Sequence, residues 1–171
     1  MKKLLALSLL ILFAFTASYA GEWINISSQN ASPAQTTLLS SDAQLNRIQF
    51  TVPGFEFIEV STPEGPAYTL QLEDASPLLQ AGNPELLKVT TSLVIPDLAG
   101  MDVRVVSSKY TDYENILIAP SKGNLTRDID PATVPYEFGE SYTQDAFFPG
   151  ELATLRDPYI VRDYRGQTVV V

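Results

Sequence analysis

The sequence predicts an all-β fold: an antiparallel sandwich or barrel-like domain with a long irregular loop segment, following an N-terminal signal peptide. Three observations carry this expectation. Apolar residues recur with a period of two, as in half-buried strands. Twelve prolines among 171 residues leave little room for a long helix. Turn residues punctuate the chain at short intervals, the spacing of antiparallel β proteins.

Residues 1–20 read as an export signal. Lys2 and Lys3 form a positive start, Leu4 to Phe15 is an apolar run broken only by Ser8, and Ser18 and Ala20 put small residues before a cut after Ala20. The run is shorter than the ~20 residues that span a bilayer and has no basic stop-transfer cluster after it. Residues 21–171 then form one domain, within the usual range of roughly 100–200 residues. No membrane anchor is expected after cleavage, and without Cys there is no site for a lipid anchor.

Strands are expected where apolar and polar residues alternate: Ile48–Val52, Tyr68–Leu72 and Met101–Val105. Further β-rich runs are Phe55–Ser61, Leu86–Ile95, Glu114–Ala119, Tyr159–Arg162 and Gln167–Val171. Between them lie Pro53-Gly54, Pro63-Glu64-Gly65-Pro66, Gly82-Asn83-Pro84, Ala99-Gly100, Ser121-Lys122-Gly123 and Pro149-Gly150 as turns. Pro120 to Pro149 breaks the rhythm and is expected to be irregular; such long stretches in a compact domain are usually functional. Asp128 to Leu155 holds six acidic residues and no basic one. The final strand runs into Val171 without a polar cap, a bare edge that predicts poor stability in isolation and a domain continuing past this point.

Composition removes whole classes of chemistry. The chain has no Cys and no His. Disulfides, thiolate nucleophiles, Ser-His-Asp triads and Cys or His metal sites are therefore excluded. A net charge of −9 argues against nucleic acid, whose phosphates require a basic face. No cofactor is expected. Asp128-Ile129-Asp130 could supply part of a calcium site, but the ligands are too few, and Asp130 before Pro131 reads better as the start of a turn. Trp23 reads as a core residue, and Arg162-Asp163-Tyr164-Arg165-Gly166 as a charged turn.

From Met101 onward the chain resembles the propeptides of the gingipain family of cysteine endopeptidases. The resemblance rests on Val103-Arg104-Val105-Val106-Ser107-Ser108-Lys109-Tyr110, on Leu117-Ile118-Ala119-Pro120-Ser121-Lys122-Gly123 and on Val134-Pro135-Tyr136-Glu137-Phe138-Gly139. It continues through Asp145-Ala146-Phe147-Phe148-Pro149-Gly150-Glu151-Leu152-Ala153 and Asp157-Pro158-Tyr159-Ile160-Val161-Arg162-Asp163. Leu45–Phe57 and Gly82-Asn83-Pro84 extend it more weakly into the N-terminal half.

The resemblance implies a β-sandwich prodomain. It is secreted through the periplasm to the cell surface or medium, precedes a caspase-like catalytic domain, and keeps the zymogen latent while assisting its folding. It also implies that a basic residue in the loop after Ala119–Gly123 plugs the protease's active site, a place that Arg127 occupies. Leu125 and Thr126 are then expected to lie extended along the cleft, with Asp128 beyond the plug and Lys122 as the rival basic residue. The catalytic Cys and His of such a precursor lie in the following domain, so this chain is not itself the enzyme. The competing reading is a secreted β-sandwich binding module for carbohydrate or a cell-surface partner, with Tyr136, Tyr142 and Phe147 forming an exposed aromatic face.

Overall fold

A computed structural model of the chain describes residues 21–42 and 44–171; the signal-peptide reading of residues 1–20 lies outside them. The strands are β1 (Glu22–Asn25), β2 (Gln35–Ser41), β3 (Asn46–Thr51), β4 (Gly54–Thr62), β5 (Gly65–Gln71), β6 (Ser76–Pro77), β7 (Leu87–Lys88), β8 (Thr90–Ile95), β9 (Thr154–Leu155), β10 (Tyr159–Val161) and β11 (Tyr164–Val170). Single 3-10 turns lie at Pro131–Thr133 and Glu140–Tyr142. Every strand pairing is antiparallel. No helix among the described residues is long and apolar enough to cross a membrane.

One sheet has the order β1-β4-β5. β4 and β5 form a hairpin through Pro63-Glu64, closed by the Thr62 hydroxyl donating to the Gly65 carbonyl at 2.7 Å. Gly65 sits at φ 114°, a conformation that favours glycine. β1 pairs the other edge of β4 and lays Trp23 across Gly54, where any Cβ would lie 2.4 Å from both the Trp23 ring and the Ile24 carbonyl. Trp23 packs, as expected, against the core of Ala34, Leu72 and Val89, joined by Phe50, Phe55 and Leu87. Its indole N–H donates to the Ser28 carbonyl at 3.1 Å. Phe55, Phe57, Tyr68 and Tyr113 form a second aromatic cluster with edge-on and tilted contacts.

The other large sheet has the order β10-β11-β8, with β9 pairing the far end of β11. β2-β3 and β6-β7 are two-stranded ribbons. The C-terminal strand is therefore no bare edge, contrary to the sequence expectation. β11 pairs β8 on one side and β10 and β9 on the other, and Val171 exchanges two backbone hydrogen bonds with Val89, at 2.8 and 3.0 Å. Val169 is buried on the strand's inner face. Gln167, also buried, is satisfied at both ends: its Oε1 accepts from the Met101 N–H at 3.1 Å and its Nε2 donates to the Arg156 carbonyl at 3.0 Å.

Several strand expectations are corrected. Leu86–Ile95 divides into β7 and β8 around Val89. Met101–Val105 alternates like a strand but forms none: Asp102 to Ile116 is exposed throughout. Glu114–Ala119 contributes only an isolated parallel bridge between Ile118 and Tyr68. β1, β2, β6 and β9 were not expected; all are short or polar and show no two-residue alternation. In the charged turn, Arg162 takes φ 53° between β10 and β11, while the Arg165 Nε–H donates to the Ala99 carbonyl at 3.1 Å and pins the turn at Ala99-Gly100.

Candidate functional site

The segment after Ile118 threads between β5 and the turn at Gly82-Asn83-Pro84. Ala119 N–H donates to the Tyr68 carbonyl at 2.8 Å, and the Glu85 N–H donates to the Ala119 carbonyl at 3.0 Å. Ser121 N–H then donates to the Asn83 carbonyl at 2.7 Å, and its own carbonyl accepts from Gly82 N–H at 3.0 Å. Ala119, Pro120 and Ser121 are buried almost completely. They form a rigid platform from which residues 123–131 project as a loop.

Gly123 starts the loop at φ 81°, its N–H donating to the Ser121 hydroxyl at 3.2 Å. At the tip a turn closes from the Ile129 N–H to the Thr126 carbonyl, 3.1 Å. Arg127 and Asp128 are the two central residues of that turn, and both side chains are exposed. The return stem is capped by Asp130, whose carboxylate accepts from the Ala132 N–H at 2.9 Å and whose carbonyl accepts from the Thr133 hydroxyl at 2.7 Å. Asp130 thus begins a turn, as its place before Pro131 predicts.

All five sequence-predicted site residues lie on this loop or its base. Thr126 opens the tip turn, its carbonyl accepting from the Ile129 N–H. Leu125 is half-buried. The Lys122 Nζ donates to the Pro131 carbonyl at 2.8 Å and lies 4.2 Å above the Tyr136 ring. Sequence reasoning placed Lys122 in the loop but missed Tyr136 and Pro131 as its partners, because both are reached only when the chain folds back.

The Thr126 hydroxyl, followed by the Asp128 backbone N–H, holds the Asp128 carboxyl below its ordinary value. A depressed carboxylate contributes stability above its unfolded pKa, near 3.8, and loses it as the pH falls through the lower folded value. The ionised Asp128 carboxylate therefore supports the tip turn at neutral pH and gives up that contribution in acid, while the backbone hydrogen bond that closes the turn does not titrate. Thr126→Val removes the main donor, so the Asp128 titration followed by carboxyl-carbon NMR moves up toward 3.8. An unchanged titration in that variant contradicts the assigned hydrogen bond.

The aromatic face required by a binding module does not form. Tyr136 lies under Lys122, and Tyr142 donates its hydroxyl to the Ile118 carbonyl at 2.7 Å while packing edge-on against Phe138. Burial, followed by the Glu64 and Glu85 charges, pushes the Tyr142 phenol well above its ordinary value. Only Phe147 of the three is fully exposed.

The profile of the Propeptide_C25 family matches residues 26–171. The chain belongs to this family. As a gingipain-type propeptide it is similar to gingipain R1 of Porphyromonas gingivalis, with 44% identity over 137 residues, 80% of this chain and 14% of that protein. It is 41% identical to gingipain R2 of the same organism over 135 residues, 79% of this chain and 18% of the relative. The propeptide thus spans less than a fifth of these relatives' length. Its fold matches a structure described as the complex of Porphyromonas gingivalis RgpB pro- and mature domains, with a TM-score of 0.76 and 40% identity over 80% of this chain and 72% of that one. A structure described as giving insight into the zymogenic latency of gingipain K shares the fold at a TM-score of 0.71, with 20% identity, over 89% of this chain and 85% of the other.

Proposed function

We propose that this propeptide is the latency and folding module of an exported gingipain-like cysteine endopeptidase precursor, and that Arg127 plugs the specificity pocket of the protease. The carrying observation is an exposed arginine at the tip of a turn, on a loop rooted in a buried platform. A protruding, pre-shaped loop reaches a cleft at a lower ordering cost than a flexible one. A guanidinium offers a planar fork of donors to an acidic pocket, with charge-assisted hydrogen bonds in fixed geometry.

In such a complex Arg127 stands where a substrate side chain would stand, while the turn keeps the following peptide bond out of line for attack. The acidic stretch beyond Asp128 faces outward with mostly exposed carboxylates and suits a basic rim on the protease. The chain itself supplies no nucleophile or base of the cysteine-protease type, since it has no Cys and no His. The similarity to a prodomain solved with its mature domain supports the choice of partner. Export into the periplasm fits the signal-like pattern of residues 1–20, and onward passage to the cell surface or medium fits the kinship with gingipain precursors.

The test is a titration of the purified chain against the separately produced catalytic domain of its own precursor. Peptide hydrolysis is expected to fall to background near an equimolar ratio. Full hydrolysis in a large excess of the chain overturns the proposal.

A further inference from the structure

We infer that Lys122 is a positioning residue that clasps the mouth of the Arg127 loop and thereby decides whether the loop acts as an inhibitor or as a substrate. The inference rests on the reading of Arg127 as the plug. Lys122 lies on the outgoing stem, one residue past the buried platform. Its two partners lie beyond the loop tip: the Pro131 carbonyl, accepting at 2.8 Å, and the Tyr136 ring, 4.2 Å from the ammonium. One side chain therefore joins both stems of a loop whose tip is otherwise closed only by the Ile129-to-Thr126 hydrogen bond.

The surroundings fit a fixed cation. Glu85, half-buried in the turn packed against the platform, faces Lys122; burial raises its carboxyl and the Lys122 charge pulls it back down. Tyr136 is likewise raised by burial and then by Glu85. A lysine engaged by a carbonyl, a π face and a nearby carboxylate is not free to enter a protease pocket. The platform beneath it is just as constrained: the Gly139 N–H donates to the Gly82 carbonyl at 2.8 Å, and a Cβ on Gly139 would approach that same oxygen to 2.8 Å.

The functional consequence concerns cleavage. A protease cuts a loop that can be drawn into an extended, attack-ready shape and is blocked by one that cannot deform. Joining the stems at Lys122 restrains the nine residues from Gly123 to Pro131, so the bond after Arg127 resists opening. Without the clasp the same loop opens locally while the rest of the domain stays folded.

The experiment uses the purified chain and trypsin, with cleavage after Arg127 mapped by mass spectrometry, so no cognate protease is needed. Lys122→Met keeps the length of the side chain and removes its charge. It is expected to speed cleavage after Arg127 about tenfold, the equivalent of ~1.4 kcal/mol in the opening equilibrium. Tyr136→Leu acts in the same direction, and the double variant does little more than the stronger single one, since both break one clasp. Lys122→Arg restores protection.

The melting temperature separates this role from a general structural one. It is expected to stay near the wild-type value in Lys122→Met. Wild-type cleavage rates in Lys122→Met overturn the inference, and so does faster cutting at every site with a lowered melt. The plug reading fails separately: full inhibition by Arg127→Ala would remove it while leaving the trypsin comparison intact.

Discussion

Arg127→Ala is expected to weaken inhibition of the cognate catalytic domain by tens-fold or more, without altering the fold. The side chain is exposed and touches nothing that holds the loop, so its removal leaves the turn and the Asp130 cap in place. Its energetic role appears only in the complex, where truncating one partner of a buried, hydrogen-bonded charge pair costs about 2–5 kcal/mol. Each ~1.4 kcal/mol is a factor of ten in affinity. Arg127→Lys is expected to fall between the two, because an ammonium keeps the charge but loses the two-pronged geometry. The measurement is an inhibition constant for each variant under identical salt conditions. Equal constants for wild type and Arg127→Ala sink the plug and leave Arg127 an ordinary solvated loop residue.

Val169→Asp is expected to unfold or severely destabilise the domain, whereas Val94→Asp is tolerated. Both valines lie in the same sheet, on paired strands. Val169 is 5% exposed, near the C-terminal end of β11 and flanked by β8 and β9; Val94 is 69% exposed on β8. An uncompensated buried carboxylate costs about 3–5 kcal/mol, a large part of the roughly 5–15 kcal/mol that holds a domain together. At about 2–4 °C per kcal/mol for a chain of this size, the melt should fall by about 6–20 °C. An exposed substitution stays within about 0.5 kcal/mol. Wild-type chain should melt in one sharp transition, because its last strand is an interior strand. Circular dichroism melts decide the matter: wild-type melting of Val169→Asp would return β11 to the status of a frayed edge.

The two predictions draw on different levels of information. Arg127 could be singled out in the sequence because it follows a strong block of resemblance; its own neighbours mark it only as an exposed loop arginine, which it is. The β character was legible in local pattern. Alternation in Ile48–Val52 and in Tyr68–Leu72 is a property of neighbours in the chain, and the structure forms strands at both places. The role of Lys122 was not legible. Its partners lie nine and fourteen residues away along the chain, and no local pattern marks a carbonyl or a ring face as the seat of an ammonium.

By itself, then, the sequence determined the class of fold, the loop proposed to carry the site, the absence of any Cys or His chemistry, and a kinship whose family model matches residues 26–171. Tertiary structure alone decided which alternating segments became strands. Met101–Val105 has the pattern but forms no strand, while the polar β2 has a partner in β3 without the pattern. It also decided that the last strand is interior, and that the Lys122 ammonium lies against the Pro131 carbonyl and the Tyr136 ring. The physical reason is common to these cases. Periodicity and turn chemistry act between residues close in sequence, whereas pairing, burial and the seat of a charge depend on what the rest of the chain brings alongside.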